Sequence, residues 1–224
     1  MRRRDLLKAA PVLASAPLAA PALAQAQKPL RFIPQANLTV LDPIWTTAVI
    51  TYNHAYMVYD KLYGYDGAGN IKPQMCEVHE VSSDGLTWTF TLLDGLMFHD
   101  KEKVLARDCV ATIKRFAARN PFGQAMMQRV DEISAPSDKV IRIRLKKPFP
   151  LLTAALAQVY CAIMPERLAQ TDPMKQIPEA IGSGPFRFIA SERIPGQRVV
   201  FTKNEAYVPR ADGVASFNAG PKIV

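Results

Sequence analysis

Between Glu77 and Leu93 the chain alternates, with Leu86, Trp88, Phe90 and Leu92 at every second position and threonines at 87, 89 and 91 between them. That is the period of a strand with one buried and one polar face. Ser83-Asp84-Gly85 in front of it supplies a tight turn, so the stretch reads as a hairpin. Val140 to Leu145 repeats the rule within a second β pair. Here Ile141, Ile143 and Leu145 form one face and Arg142 and Arg144 the other, either as an anion patch or, more simply, as a solvated face. From Thr46 to Leu62 the spacing changes to threes and fours. Val49, Tyr52, Tyr56, Tyr59 and Leu62 then mark the apolar face of a helix. Arg107 to Arg119 reads as a second helix that buries Val110, Ile113, Phe116 and Ala117 and is stopped by Asn120-Pro121. Pro150 to Ala157 reads as a short helix with Pro150 in its first turn. Pro29 to Ile33 fits a short buried strand, Pro34 to Trp45 a loop, Gly64 to Gly69 a turn, and Pro185 to Lys203 a hairpin turning at Pro195-Gly196. The class is α/β in the mixed sense, rich in hairpins and without a long linker.

The opening residues follow neither period. Arg2, Arg3 and Arg4 lead through Asp5, Leu6, Leu7 and Lys8 into a run from Ala9 to Ala24 made almost wholly of Ala, Leu, Val, Ser and Pro. A charged segment followed by an apolar one that ends in Ala22-Leu23-Ala24 and Ala24-Gln25-Ala26 is the order of an export signal. It predicts a signal over residues 1–26, cleaved after Ala24 or Ala26. A membrane anchor fits less well, because the run is short and interrupted by Pro11, Pro17 and Pro21. Arg3, Arg4, Leu7 and Lys8 match the twin-arginine export motif, with Leu6 where Phe is usual and Arg2 in place of Ser or Thr. Export by the twin-arginine translocase, leaving residues 27–224 soluble in the periplasm, is the expectation.

Charge alters this little. The net charge of +8 falls to +5 once Arg2, Arg3, Arg4, Lys8 and Asp5 are removed, and it is spread along the chain, which argues against a nucleic-acid partner. Cys76, Cys109 and Cys161 are too few for a disulfide framework, and none follows the signal where a lipid-modified Cys would sit. They read as buried apolar residues of a protein that is not a lipoprotein. The chain lacks H-E-x-x-H, G-x-S-x-G, G-x-x-x-x-G-K and C-x-x-C, and His54, His79 and His99 have no metal-ligand spacing. No metal or cofactor is expected. Ser183, between Gly182 and Gly184, could be activated by His99 with Asp100 as in a hydrolase triad, although Gly-Ser-Gly-Pro is far more often a device for close backbone approach.

An ordered set of motifs carries the reading further. These are Leu41-Asp42-Pro43, Tyr59-Asp60-Lys61-Leu62, Gly69 to Met75 with Glu77, Asp84 to Phe90, and Asp94 to Asp100. In this order they resemble the solute-binding proteins of peptide-type ABC importers, the dipeptide and oligopeptide-binding family. Gly182-Ser183-Gly184-Pro185-Phe186 resembles that family's G-T-G-P-Y, and Asn204 with Tyr207 its N-x-x-Y. The likeness spans nearly all of the mature chain. Three places depart: Leu93 stands where Arg is usual, Lys101 where Gly is usual, and Leu105-Ala106-Arg107-Asp108 where Thr-Ala-Glu-Asp is common. The last change removes a helix cap worth about 1 kcal/mol.

The resemblance implies a binding protein and not an enzyme. It would be a monomer that closes two lobes about a hinge on a short peptide or other small solute and delivers it to an ABC permease and its ATPase. Family members are considerably longer, and Ala219 to Val224 still read as family sequence entering a strand. The chain is therefore expected to form part of lobe I of a two-lobed periplasmic-binding-protein-like fold, with the second lobe absent. Two readings compete with it: a periplasmic hydrolase using Ser183 and His99, and a truncated product without a transport role. In such a lobe the first strand delivers its end to the cleft. That makes Asn37, Thr39, Trp45, Thr46 and Thr47 the expected ligand contacts, joined by the hydroxyl of Ser183. Trp45 could stack on a ligand or fill the core. The solute itself stays open, since one scaffold serves peptides, nickel complexes and opines.

Overall fold

The computed structural model of the protein describes residues 29–207 and 209. Arg3, Arg4, Leu7, Lys8, Ala24 and Ala26 lie outside the described residues, as do Ala219 to Val224. The chain divides into two units, Met1–Ile33 and Pro34–Val224. In the first, residues 29–33 form no strand, contrary to the sequence expectation, and Leu30 and Ile33 are 95% and 93% exposed. An apolar run becomes a buried strand only where something covers it, and here nothing among the described residues does.

Alternation builds the centre of the second unit. Strands β1 (Tyr63–Tyr65) and β2 (Ile71–Pro73) form a hairpin. Strands β3 (Glu80–Val81), β4 (Thr87–Thr91), β5 (Val130–Ser134) and β6 (Val140–Leu145) form an antiparallel sheet in the order β3-β4-β6-β5. The turn into β4 rests on Gly85, whose φ of 71° suits glycine. Pairing of Trp88 with Ile143 and of Phe90 with Ile141 sets the apolar positions of both strands on one face. Phe90, Leu92, Ile141, Ile143 and Leu145 are buried there, whereas Leu86 and Trp88 are only half-buried. Helix α2 (Ala106–Arg119) closes this core with Cys109, Ile113 and Phe116. Cys76, Cys109 and Cys161 are all buried free thiols.

The α2 start lacks its threonine but keeps half of a capping box: Asp108 Oδ2 accepts the Leu105 N–H at 2.8 Å. Its end falls where Asn120-Pro121 predicts, at Arg119 with Asn120 extended, but a further helix starts there that the sequence reading did not offer. Asn120 Oδ1 accepts the N–H groups of Phe122 and Gly123 at 2.9 and 3.2 Å, and α3 (Pro121–Met127) follows at once. Proline in a first turn sacrifices no helical hydrogen bond.

Helix α4 (Leu152–Leu156) also packs into the core under the sheet, through Leu152, Ala155 and Leu156, whereas a second, smaller core lies around α1 (Val49–Val58), α5 (Glu166–Ala169) and the hairpin of β7 (Phe186–Phe188) and β8 (Phe201–Lys203). Helix α1 is shorter than its periodicity suggested. Tyr59 is already extended, with φ −109° and ψ 157°, and Leu62 is buried from a bend beyond the helix. The buried face is Thr51, His54, Ala55 and Val58, one position round from the expected stripe, and Val49 is 56% exposed. Small side chains let α1 sit close to its neighbours, while tyrosines keep a polar tip toward water.

Candidate functional site

The loop from Asn37 to Thr47 is fixed by a buried ion pair. Asp42 Oδ2 meets Arg115 Nη2 of α2 at 2.7 Å, with both side chains shut off from solvent. The same oxygen accepts the Ile177 N–H at 3.0 Å, while Oδ1 accepts that of Ile44 at 3.2 Å and caps a 3-10 turn over Pro43–Trp45. Burial raises the Asp42 carboxyl above its ordinary range, against the opposing pull of Arg115 and the two N–H groups. From the other side, Arg193 Nη2 donates to the carbonyls of Leu38 and Thr39 at 2.9 and 3.3 Å, and Thr51 Oγ1 donates to Val40 O at 2.8 Å.

On this frame Asn37, Thr39 and Thr47 are exposed and Thr46 is half-exposed, its Oγ1 accepting the Ala48 N–H at 3.1 Å. Trp45 does not stand free. Its half-buried ring lies under the Arg119 guanidinium at 4.3 Å, and Nε1 is buried without a partner among the described residues. Ser183 is not brought to the loop. It packs at the C-terminal end of α1, whereas Thr46 and Thr47 precede the N-terminal end, so a helix about 15 Å long separates them.

The flank of α1 that begins two residues after Thr47 carries Tyr52 and Tyr56, which periodicity set on the buried face and which pack only partly buried against the second core. Tyr52, Tyr56, Tyr65 and Tyr160 are all half-buried. The Tyr52 and Tyr160 hydroxyls are hydrogen-bonded, and their rings meet edge to face at 5.4 Å. Lys61 Nζ sits 4.6 Å over the Tyr56 ring and donates to Ala157 O at 3.4 Å, and Gln158 Nε2 donates to Tyr65 OH at 3.4 Å. Burial holds the Lys61 ammonium down at about 8, with Asp60 pulling it up. Burial also raises the Tyr52 and Tyr56 phenols, so both stay protonated at neutral pH. The flank thus offers ring faces and neutral hydroxyls side by side. The signal in the sequence was the choice of Tyr over Leu or Ile at these positions.

Gly182-Ser183-Gly184 is a backbone device. A Cβ at Gly182 would stand 2.1 Å from Val58 O, and one at Gly184 2.8 Å from Met57 O. The Gly184 N–H donates to Val58 O at 2.9 Å, and Gly184 O accepts from His99 Nε2 at 3.0 Å and from Asn204 Nδ2 at 3.1 Å. Since Nε2 must carry a proton to bond a carbonyl, this nitrogen is not a base for Ser183. Asp100 is engaged by Arg167 Nη2 at 2.7 Å, and the buried Ser183 Oγ has no partner among the described residues. The triad geometry is not made. Close by in sequence to that node, the buried Asp60 accepts the Lys61 N–H at 2.8 Å and hydrogen-bonds Gln74 and Tyr207, whose own side chains meet at 3.2 Å. Burial holds the Asp60 carboxyl up at about 6. Five of the sequence motifs therefore meet as structural joints. Among the described residues no group of three His, Cys, Asp or Glu side chains could hold a metal, and no helix is long and apolar enough to cross a membrane.

The sequence profile of the bacterial extracellular solute-binding proteins, family 5, middle region, matches residues 70–219. A probable peptide ABC transporter periplasmic-binding protein of Sinorhizobium fredii is 41% identical over 222 residues, which cover 95% of this chain and 41% of that protein. The dipeptide-binding protein of Pseudoalteromonas sp. SM9913, solved in complex with Met-Leu, matches in fold with a TM-score of 0.67 at 23% identity, over 78% of this chain and 39% of that one. The periplasmic binding protein MoaA of A. tumefaciens R10, solved in complex with mannopinic acid, gives a TM-score of 0.64 at 28% identity, over 76% of this chain and 36% of that one. The chain thus spans less than half the length of each of these relatives.

Proposed function

The chain belongs to the bacterial extracellular solute-binding proteins, family 5, and on that premise we propose that it serves as the ligand-capturing subunit of an ABC importer for short peptides or a similar small solute. Its partners are the permease and ATPase of that importer, and before them the twin-arginine translocase, which the Arg3-Arg4 motif recruits. It works as a soluble, monomeric periplasmic protein and transforms nothing. The engagement of His99 Nε2 by Gly184 O, which leaves that nitrogen no role as a base for Ser183, supports that last point. The ligand wall runs from Asn37, Thr39, Thr46 and Thr47 onto the Tyr52, Tyr56 and Tyr160 flank, with Ser183 serving as a joint at the far end of α1.

The half-buried Tyr52–Tyr160 pair carries this assignment. Phenol rings cover aliphatic or aromatic side chains at low entropic cost, and neutral hydroxyls and threonines bond the peptide groups between them. Calorimetric titration of protein purified from its own host with di-, tri- and tetrapeptides, a nickel complex and an opine identifies the solute. Saturable binding of a peptide class, with no hydrolysis product in the cell afterwards, is the expected result. Turnover of the peptide, or tight binding of the nickel complex alone, would contradict it.

A further inference from the structure

The outer face of the four-stranded sheet is polar, and its two arginines are not equivalent. Register places Arg142 between Thr89 of β4 and Ser134 of β5, and Arg144 between Thr87 and Glu132. The β5–β6 register shifts between Val130 and Glu132, which leaves Asp131 as an extra residue in the strand. Such a bulge re-aims side chains. Here it brings two carboxylates onto one cation, with Arg144 Nη2 lying 2.9 Å from Asp131 Oδ2 and 3.3 Å from Glu132 Oε2. Arg142, two residues along the same face, has no carboxylate partner among the described residues. The hydroxyls of Thr89 and Ser134 likewise make no hydrogen bond to another described side chain or backbone group. These residues line a depression of about 360 Å³ in the twisted sheet.

A cross-strand neighbour stands about 5 Å away, so a guanidinium with a hydroxyl on each side presents converging donors around one uncompensated positive charge. The paired Arg144 adds little attraction of its own, but it holds two carboxylates that would otherwise turn toward Arg142. We propose that Arg142, with Thr89 and Ser134, forms a binding site for a small tetrahedral oxyanion of the phosphate or sulfate class on the outer face of the sheet, apart from the α1 flank.

The test follows backbone amide shifts of the purified chain while sodium phosphate or sodium sulfate replaces sodium chloride at constant ionic strength. Saturable shifts centred on residues 89, 134 and 142 are expected. Arg142→Ala should weaken them about tenfold, the scale of one charge-assisted hydrogen bond. Arg144→Ala should weaken them too, because Asp131 and Glu132 are then free to neutralise Arg142, and the combined Asp131→Asn and Glu132→Gln variant should strengthen them. Shifts that fail to saturate, that survive Arg142→Ala unchanged, or that acetate reproduces at equal concentration would overturn the proposal.

Discussion

The core under the sheet and the core around α1 follow different rules. Beneath the sheet the fully buried side chains are large and apolar, among them Phe90, Ile113, Phe116, Ile141 and Ile143. Around α1 the buried hydrophobic residues are fewer and mix alanines (Ala55, Ala162, Ala169 and Ala180) with Val58, Tyr59, Met164 and Leu168. Polar groups are buried with or next to them: Asp42, Thr51, His54, Asp60, Lys61 and Ser183. The first core supplies stability by removing apolar surface from water. The second gives some of it up, since each buried charge must be matched, and in return it fixes the geometry of the loop and of the tyrosine flank. His54 shows the cost most plainly. Both ring nitrogens lack partners among the described residues, and burial drives its pKa down to about 3.

The comparison breaks most visibly at Asp42. Asp42→Ala leaves the Arg115 guanidinium buried and uncompensated and should cost about 3 to 5 kcal/mol in urea unfolding, as much as truncating a buried aromatic ring such as Phe116→Ala. Asp42→Leu combined with Arg115→Met should recover most of that loss, whereas no single second substitution refills the Phe116 cavity. A cost for Asp42→Ala under about 1 kcal/mol would mean that the loop is not anchored by charge.

Asp60 comes next. Its carboxyl titrates at about 6 in the folded protein against 3.8 ordinarily, so the native state holds the proton more tightly. The linked stability is fully present below pH 3.8 and is lost as pH rises through 6. Wild type should therefore gain on Asp60→Asn by up to about 3 kcal/mol as pH falls from 7 to 4, read from paired denaturant melts. A difference that does not change with pH would place Asp60 in contact with water.

Trp88 should matter less than Phe90. It is half-buried and stacks on His79 at 4.8 Å, so Trp88→Ala should cost about 2 kcal/mol, below the 3 to 5 typical of a buried ring. The smallest effect is a gain. Leu105→Thr supplies the missing half of the α2 capping box and should add about 1 kcal/mol to the unfolding free energy.

The sheet and α2 were legible because alternation and a 3.6 period are local signals, and Phe90, Ile141, Ile143 and Phe116 obey them. At α1 the same counting was only partly right, since tyrosine scores as apolar and Tyr59 is buried, while Tyr52 and Tyr56 are left half-buried. Helix α3 was hidden by a proline that can start a helix as well as stop one, and the four residues of α5 are too few to show a period. In the candidate site the exposed threonines were readable from the loop itself. Their anchor was not, because the partner of Asp42 lies 73 residues away in the chain and no local pattern can announce it.

The central claim is that the half-exposed tyrosine flank of α1 is the ligand wall. It is tested most directly by titrating a bound peptide into wild type, Tyr52→Ala, Tyr160→Ala and the double variant, with each melt recorded alongside. The account predicts at least about a tenfold loss of affinity in each single variant, the scale of one aromatic contact, with coupling between the two and a native-like melt throughout. Unchanged affinity in the double variant, with its fold intact, would contradict it.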